Sequence, residues 1–317
     1  MDSNQYVAMI PTVGRVESLE RVLDALDNQK CRPGLILICI SANHEVVKAI
    51  QDMVNLRHVQ TIVIYSEVKS SAIQRNVLLE AWQHDYSSYS LGLFVDDDTY
   101  PAEDYASRLI EALASSPKIG GASGVTFNKA TTKPISHSDQ VVELLACLFA
   151  LHGSPGRLLR SGVNIGPDSE QSDVVEADWL FACSLWRQDA VRTERFPKDW
   201  MGYAVGEDVW FSSQVADRWE LVVDPKAKLH IDVVPCHVGF AVARDTVLHQ
   251  FRVMVRRPDF RVSDIVAFFW SVAGRVLFDL WRMIRVPQRR HLVHLLGTIA
   301  GAMWIIARPF SAAGRRS

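Results

Sequence analysis

At 317 residues, 48% apolar and 22% charged, the chain can hold one large domain with an appendage, and its composition excludes disordered, collagenous and low-complexity classes. Five cysteines (Cys31, Cys39, Cys147, Cys183, Cys236), odd in number and without a CxxC pair, exclude a disulfide framework or zinc ribbon and fit a reducing compartment. The net charge of −2 conceals a division: residues 251–317 carry twelve Arg, no Lys and three acids, a net of +9 against −11 for the rest, so a basic tail seeks an anionic partner.

The first apolar run, residues 7–10, has neither a basic leader nor a cleavage site before it, so no secretory signal is expected. It predicts a strand, and Pro11-Thr12-Val13-Gly14-Arg15 a turn. Val16, Leu19, Val22, Leu23 and Leu26 recur at helical spacing behind that turn. The alternation continues with strands over 35–40, 61–65 and 91–95 and helices over 45–53 and 71–82. Such repetition gives a parallel sheet covered on both faces, with ligands at the carboxyl ends of its strands. Thr12 and the acids that follow residue 95 then share one edge. Beyond Pro101 a helix is predicted over 105–115, then a strand at Gly120-Gly121-Ala122-Ser123-Gly124-Val125, whose missing side chains allow close backbone approach. Residues 128–175, rich in Gly, Ser, Pro and Asp, read as acceptor-facing loops around one helix at 140–151.

Between residues 264 and 285 polar side chains recur at Asp264, Ser271, Arg275, Asp279, Arg282 and Arg285, and nearly everything else is apolar. This is a helix with a narrow polar stripe. Arg289-Arg290 follow, then an apolar run over 292–307 that contains His294. A span needs about 20 apolar residues, so an interfacial or re-entrant helix is expected rather than a clean crossing. Arginines beside exposed aromatics fit anionic headgroups. A pair of core helices in a second soluble domain is the plainer alternative. No RNP, zinc-finger or helix-turn-helix pattern accompanies the charge, so nucleic acid is not an expected partner.

Two acidic groups stand out. The strand at 91–95 ends in Asp96-Asp97-Asp98. Adjacent carboxylates repel one another unless something positive lies among them, and a hard divalent cation is the natural candidate. Downstream, a glycine-flanked turn delivers Glu207 and Asp208 to the start of an apolar helix. Alone, those acids are ordinary first-turn residues favoured by the helix dipole. Paired with the first cluster, they match two needs of group transfer: a metal to neutralise a leaving diphosphate and a separate carboxylate to deprotonate an acceptor hydroxyl. Cys236-His237 lacks a ligand-spaced partner set, which argues against zinc.

Several segments occur in order over roughly residues 6–235: Val7-Ala8-Met9-Ile10-Pro11-Thr12-Val13-Gly14-Arg15, Ser71-Ala72-Ile73-Gln74-Arg75-Asn76, Phe94-Val95-Asp96-Asp97-Asp98, residues 182–189 with Arg187, Gly206-Glu207-Asp208-Val209, and His230. Together they resemble family-2 glycosyltransferases of GT-A fold, an inverting, metal-dependent class with nucleotide-sugar donors. The resemblance implies an α/β architecture, a Rossmann-like, mostly parallel central sheet flanked by helices. It places Pro11, Thr12 and Arg15 at the border of the nucleotide pocket and Arg75 close to the donor phosphates. Asp96 would contact the donor nucleoside or sugar, with Asp97 beside it on the donor side or only structural. Asp98 would bind Mg2+ or Mn2+. Asp208 is implied as general base, with Glu207 assisting acceptor or sugar binding. His230 stands after a predicted strand at 221–224, where some members supply a histidine to the metal or diphosphate; a satisfied, partly buried histidine is the alternative. In one respect the chain departs from the pattern: many relatives end the second strand with an acid that holds the base, and this chain has Ser41-Ala42-Asn43. Ser41 or Asn43 could bond a base edge, and the choice among UDP, GDP and dTDP stays open.

The expectation is therefore a GT-A catalytic domain over residues 1–250 and a basic, amphipathic helical appendage over 251–317. The enzyme would pass a sugar to a glycan or polyprenyl-linked acceptor in cell-surface glycan synthesis, held peripherally on the cytoplasmic face of the membrane by its C-terminal helices. One rival is a non-catalytic membrane scaffold of the same fold. The other is a haloacid-dehalogenase-like phosphatase, which wants Thr two residues after the second acid of D-x-D, where this chain has Tyr100.

Overall fold

The computed structural model describes residues 6–126, 137–168, 171–202, 204–231 and 239–308; Cys236-His237 lies outside them. The chain forms two compact units, residues 1–129 with 167–232, and residues 130–166 with 233–317.

In the first unit, β1 (Tyr6–Thr12) is buried along its whole length, as a strand covered on both faces must be. It pairs in parallel with β2 (Leu35–Ile40) and with β4 (Leu91–Phe94), and β2 pairs in parallel with β3 (Thr61–Tyr65). The crossovers are α1 (Val16–Asp27), α2 (His44–Val54) and α3 (Ser71–His84). α1 buries Leu19, Val22, Leu23 and Leu26, the face its spacing predicts. Asn43 caps α2 by accepting from the Val46 amide at 3.0 Å.

Beyond β4 come β5 (Thr99–Pro101), α4 (Tyr105–Ala114), β6 (Ile119–Thr126), β7 (Val175–Ala177), β8 (Ser184–Arg187), α6 (Glu207–Val215) and β9 (Glu220–Ile231). Among the described residues the sheet has nine strands in the order β3-β2-β1-β4-β8-β6-β9-β5, with β7 on β9. β6 and β9 run parallel, while β8 is antiparallel to β4 and β6, and β5 and β7 are antiparallel to β9. The reversal of strand order at β1 and β4 makes their carboxyl ends the natural crevice. β9 runs past the predicted 221–224 through Pro225, and its register with β6 shifts between Ser123 and Val125. A proline cannot donate to the ladder, so the pairing breaks there. The chain closes the break by bringing the Ala227 carbonyl against Gly124, where a Cβ would collide with it.

The second unit is helical, with α5 (His137–Leu148), α7 (Phe240–Arg256), α8 (Val262–Arg285) and α9 (Arg289–Ala307). The boundary expected at residue 250 falls inside α7, which belongs to this unit. Its core joins Val247, Phe251 and Met254 of α7 to Phe268 and Val272 of α8 and Ile305 of α9. α9 meets the α7 backbone at Gly297 and Gly301; a Cβ on Gly301 would stand 2.8 Å from the Arg244 carbonyl oxygen. His294 Nδ1 lies 2.8 Å from the buried Asp279 carboxylate, so the polar residue in the apolar run is satisfied by α8. α9 is long and apolar enough to cross a membrane by length and composition, with 28% of its apolar stretch buried.

Candidate active site at the carboxyl ends of the central strands

The ends of β1 and β4 meet: the Val95 amide donates to the Met9 carbonyl at 3.0 Å, and the two chains then turn away together. Thr12, the last residue of β1, donates its hydroxyl to Asp97. That same hydroxyl accepts from the Gly14 amide at 3.0 Å, which shapes the turn. Arg15 folds back across the turn, pairs with Asp97 and donates to Asp98 at 2.8 Å. Asp97 is buried and its oxygens are engaged by Thr12 and Arg15, so it serves as the turn's anchor. Pro11 lies in the buried run of β1 just before this turn.

α3 supplies the other half of the framework through three consecutive polar side chains that are all buried. Gln74 Nε2 donates to the Thr12 carbonyl at 2.6 Å and the Cys39 carbonyl at 3.1 Å, joining the ends of β1 and β2. Arg75 donates to Asp96 and to Glu207. Asn76 clamps the Phe196 backbone by donating to its carbonyl and accepting from its amide, both at 2.9 Å. Ser70, which caps the helix, also donates to the Trp200 carbonyl at 2.7 Å. Each bond satisfies a buried polar group that would otherwise cost about 1–3 kcal/mol. The Arg75 Nε stays without an acceptor among the described residues.

The segment reaching Glu207 turns through left-handed backbone at Gly202 (φ 69°), Ala204 (φ 41°) and Gly206 (φ 84°). Gly206 is the cap of α6, and glycine holds that conformation without strain. Glu207 is buried against Arg75, while Asp208 is half-buried and accepts from the Val209 amide at 2.8 Å. Burial pushes the Glu207 carboxyl up to about 7 against the pull of Arg75. Burial also lifts Asp208, to about 6, while the Val209 amide and Arg75 pull it down. Asp96 is raised as well, by burial, with Arg75 pulling it down and the neighbouring Asp98 and Asp97 charges adding to the rise. Its amide donates to Cys183 Sγ at 3.3 Å, and burial pushes that thiol up to about 12, keeping it neutral.

The structure thus brings Thr12, Arg15, Asp97 and Asp98 into one bonded set and Arg75, Asp96 and Glu207 into a second, joined along the chain at Asp96-Asp97, with Asp208 on the residue after Glu207. Two arginines sit among the three aspartates, and each aspartate has a guanidinium partner, so part of the cluster's negative charge is offset within the protein. Ser41 is committed elsewhere: buried at the end of β2, its hydroxyl donates to the Ser66 and Val68 carbonyls and ties β2 to the loop after β3. Asn43 is spent on the α2 cap. His230 is exposed on β9, in register with Tyr100 of β5, just past the aspartates on the neighbouring strand. Gln74, Asn76 and Phe196 carry the framework and were not singled out as site residues; a run of polar side chains on a helix otherwise packed on a sheet was the available signal.

Among the described residues no group of three or more His, Cys, Asp or Glu side chains is set to hold a metal. The donor chemistry still fits one kind of ion. The Asp96 and Asp98 side chains are 33% and 23% exposed. A cation that arrives on a diphosphate needs only one or two protein carboxylates, because phosphates and waters complete its shell. Elsewhere in this unit a cavity of about 630 Å³ opens where β6 and β9 begin, lined by Lys118, Glu176, Asp217 and Trp219 among others. It lies at the opposite ends of these strands from the carboxylates.

No known protein family and no curated protein matches the sequence. The structure is similar to the mannosyltransferase PcManGT from Pyrobaculum calidifontis in complex with GDP-Man and Mn2+, at 14% identity and a TM-score of 0.58 over 95% of this chain and 87% of that one. It is also similar to S. aureus TarS residues 1–349 in complex with UDP-GlcNAc, at 10% identity and a TM-score of 0.52 over 96% of this chain and 92% of that one. The chain has a glycosyltransferase fold.

Proposed function

We propose that the protein is an inverting glycosyltransferase that moves a sugar from a nucleotide-sugar donor to a lipid-linked or polysaccharide acceptor. One observation carries this: a half-buried carboxylate, Asp208, with its pKa lifted toward neutrality, stands at the start of α6 beside a network that ends in Asp96 and Asp98. A base for an acceptor hydroxyl needs a pKa near the working pH. A donor subsite needs carboxylates that stay partly open, as Asp96 and Asp98 do.

Asp208 takes the proton of the acceptor hydroxyl. The freed oxygen attacks the anomeric carbon from the face opposite the diphosphate, and the bond to the diphosphate oxygen breaks as the new glycosidic bond forms. Asp96 orients the donor, and the turn at Thr12 and Arg15 borders the nucleotide. Asp98 would hold Mg2+ or Mn2+, with His230 on the adjacent strand as its companion. When bound, that ion neutralises the leaving diphosphate. The neighbours' GDP-Man, UDP-GlcNAc and Mn2+ support this donor class and ion. The C-terminal helices hold the enzyme on the cytoplasmic face of the membrane, near its acceptor.

Replacing Asp208 by Asn is expected to lower transfer by about 10²–10⁴-fold, the usual worth of a general base. Binding of the nucleoside diphosphate with Mn2+ should be retained. Turnover that survives the change removes Asp208 from this role.

A further inference from the structure

Arg75 does not stand where a ligand of phosphates would. Its side chain is 3% exposed, and both terminal nitrogens are taken by carboxylates, one at the end of β4 and one at the start of α6. Its guanidinium carbon lies 5.6 Å from the centroid of the Phe196 ring. Phe196 is itself held by Asn76, the next residue of α3. Protein therefore fills three sides of the guanidinium, and the next residue along the helix holds the third in place.

We infer that Arg75 is a positioning residue that ties the donor-side strand end at Asp96 to the base-bearing turn at Glu207-Asp208, and that it does not bind the donor phosphates. This rests on the glycosyltransferase roles proposed for Asp96 and Asp208. The two acidic segments are far apart in sequence, and no other ion pair described joins them. A guanidinium suits the task because its planar fork reaches two carboxylates at a fixed angle, whereas an ammonium is a single point charge on a flexible stem. Asp208 is covalently next to Glu207, so the Arg75–Glu207 pair sets where the base stands. Small displacements of reacting groups, of about 1 Å, cost about 10²-fold in rate, so loosening this tie lowers turnover before it lowers binding.

The test compares Arg75→Lys and Arg75→Met with the parent protein in three measurements. These are calorimetric binding of UDP and GDP with Mn2+, kcat and KM for transfer, and amide hydrogen exchange across the whole chain. Arg75→Lys is expected to lower kcat by about 10²-fold with diphosphate affinity unchanged. Exchange should rise together over residues 95–99 and in the first turn of α6, while β1 and β2 keep their protection. Arg75→Met should show the same pattern more strongly, with lysine giving partial rescue. A large loss of diphosphate affinity at unchanged kcat would make Arg75 a phosphate ligand and overturn the inference. So would exchange that stays at the parent level in both segments, whether or not the protein transfers sugar. If the parent binds neither diphosphate, the proposed function falls, and the exchange measurement alone decides the tie.

Discussion

At the scale of single residues, the site is governed by which carboxylates are buried and which arginines answer them. In its proposed role as base, Asp208 works only when ionised. With its pKa raised from the usual 3.8 to about 6, log(kcat/KM) should climb with pH and flatten above about 6. The same shift has a stability consequence. The folded state holds this proton more tightly than the unfolded chain, so stability falls as pH rises from 3.8 to about 6 and stays low above it. Asp208→Asn should therefore melt higher than the parent at pH 8 while losing transfer; a lower melting temperature would contradict the burial argument. The acids of this site were legible in the sequence because carboxylates at a strand end and a helix start form a pattern along the chain. Their partners were less so. Nothing local says that Arg15 would fold back on Asp97 and Asp98, or that Ser41 would spend its hydroxyl on the loop after β3. Such pairings depend on which strands become neighbours.

At the scale of elements, the four parallel strands and their helices followed from apolar periodicity, since long buried runs leave a clear imprint. The antiparallel strands β5, β7 and β8 are three or four residues long, too short to show any period. β5 and β7 are held by pairing with β9, and β8 by filling the place between β4 and β6. The glycines of β6 did announce close approach, and the sharpest case is Gly124. A methyl there meets the Ala227 carbonyl, which is backbone and cannot step aside. Gly124→Ala should cost about 1–3 kcal/mol, read as a lower denaturation midpoint at unchanged m-value. A midpoint equal to the parent's would mean that the bulge at Pro225 can move. α3 has a different character. It is a helix whose buried polar residues hold loops rather than fill a core, which is why a hydrophobic pattern alone marks it as unremarkable.

At the scale of the molecule, one unit carries the candidate site and the other an apolar exterior. α8 exposes Val262, Val266, Trp270, Leu277, Trp281 and Ile284, a stripe at spacings of three, four and seven along one face. Arg282, Arg285, Arg289 and Arg290 are exposed where α8 gives way to α9. Soluble monomers rarely leave so long an apolar ridge uncovered, and the proposed cover is an anionic lipid surface. Val266→Glu with Ile284→Glu should abolish co-sedimentation with phosphatidylglycerol vesicles. Arg289→Gln with Arg290→Gln should weaken it about 30-fold, at about 1 kcal/mol per arginine. Retention by both variants would rule out attachment through this face. The basic tail was visible from composition alone. That α7 and α5 would join it in one unit was not, because a unit boundary is set by packing rather than by charge.

The arginines among the aspartates have a practical corollary. A protein whose acidic cluster must be held together by a cation unravels when a chelator strips it. Here each of the three aspartates already has a guanidinium partner in Arg15 or Arg75, so part of that counter-charge is built into the fold. Preparations treated with EDTA should therefore keep their native melting temperature, and full activity should return on adding Mn2+ back. The proposed dependence on the ion can then be measured on metal-free protein, without any confounding loss of fold.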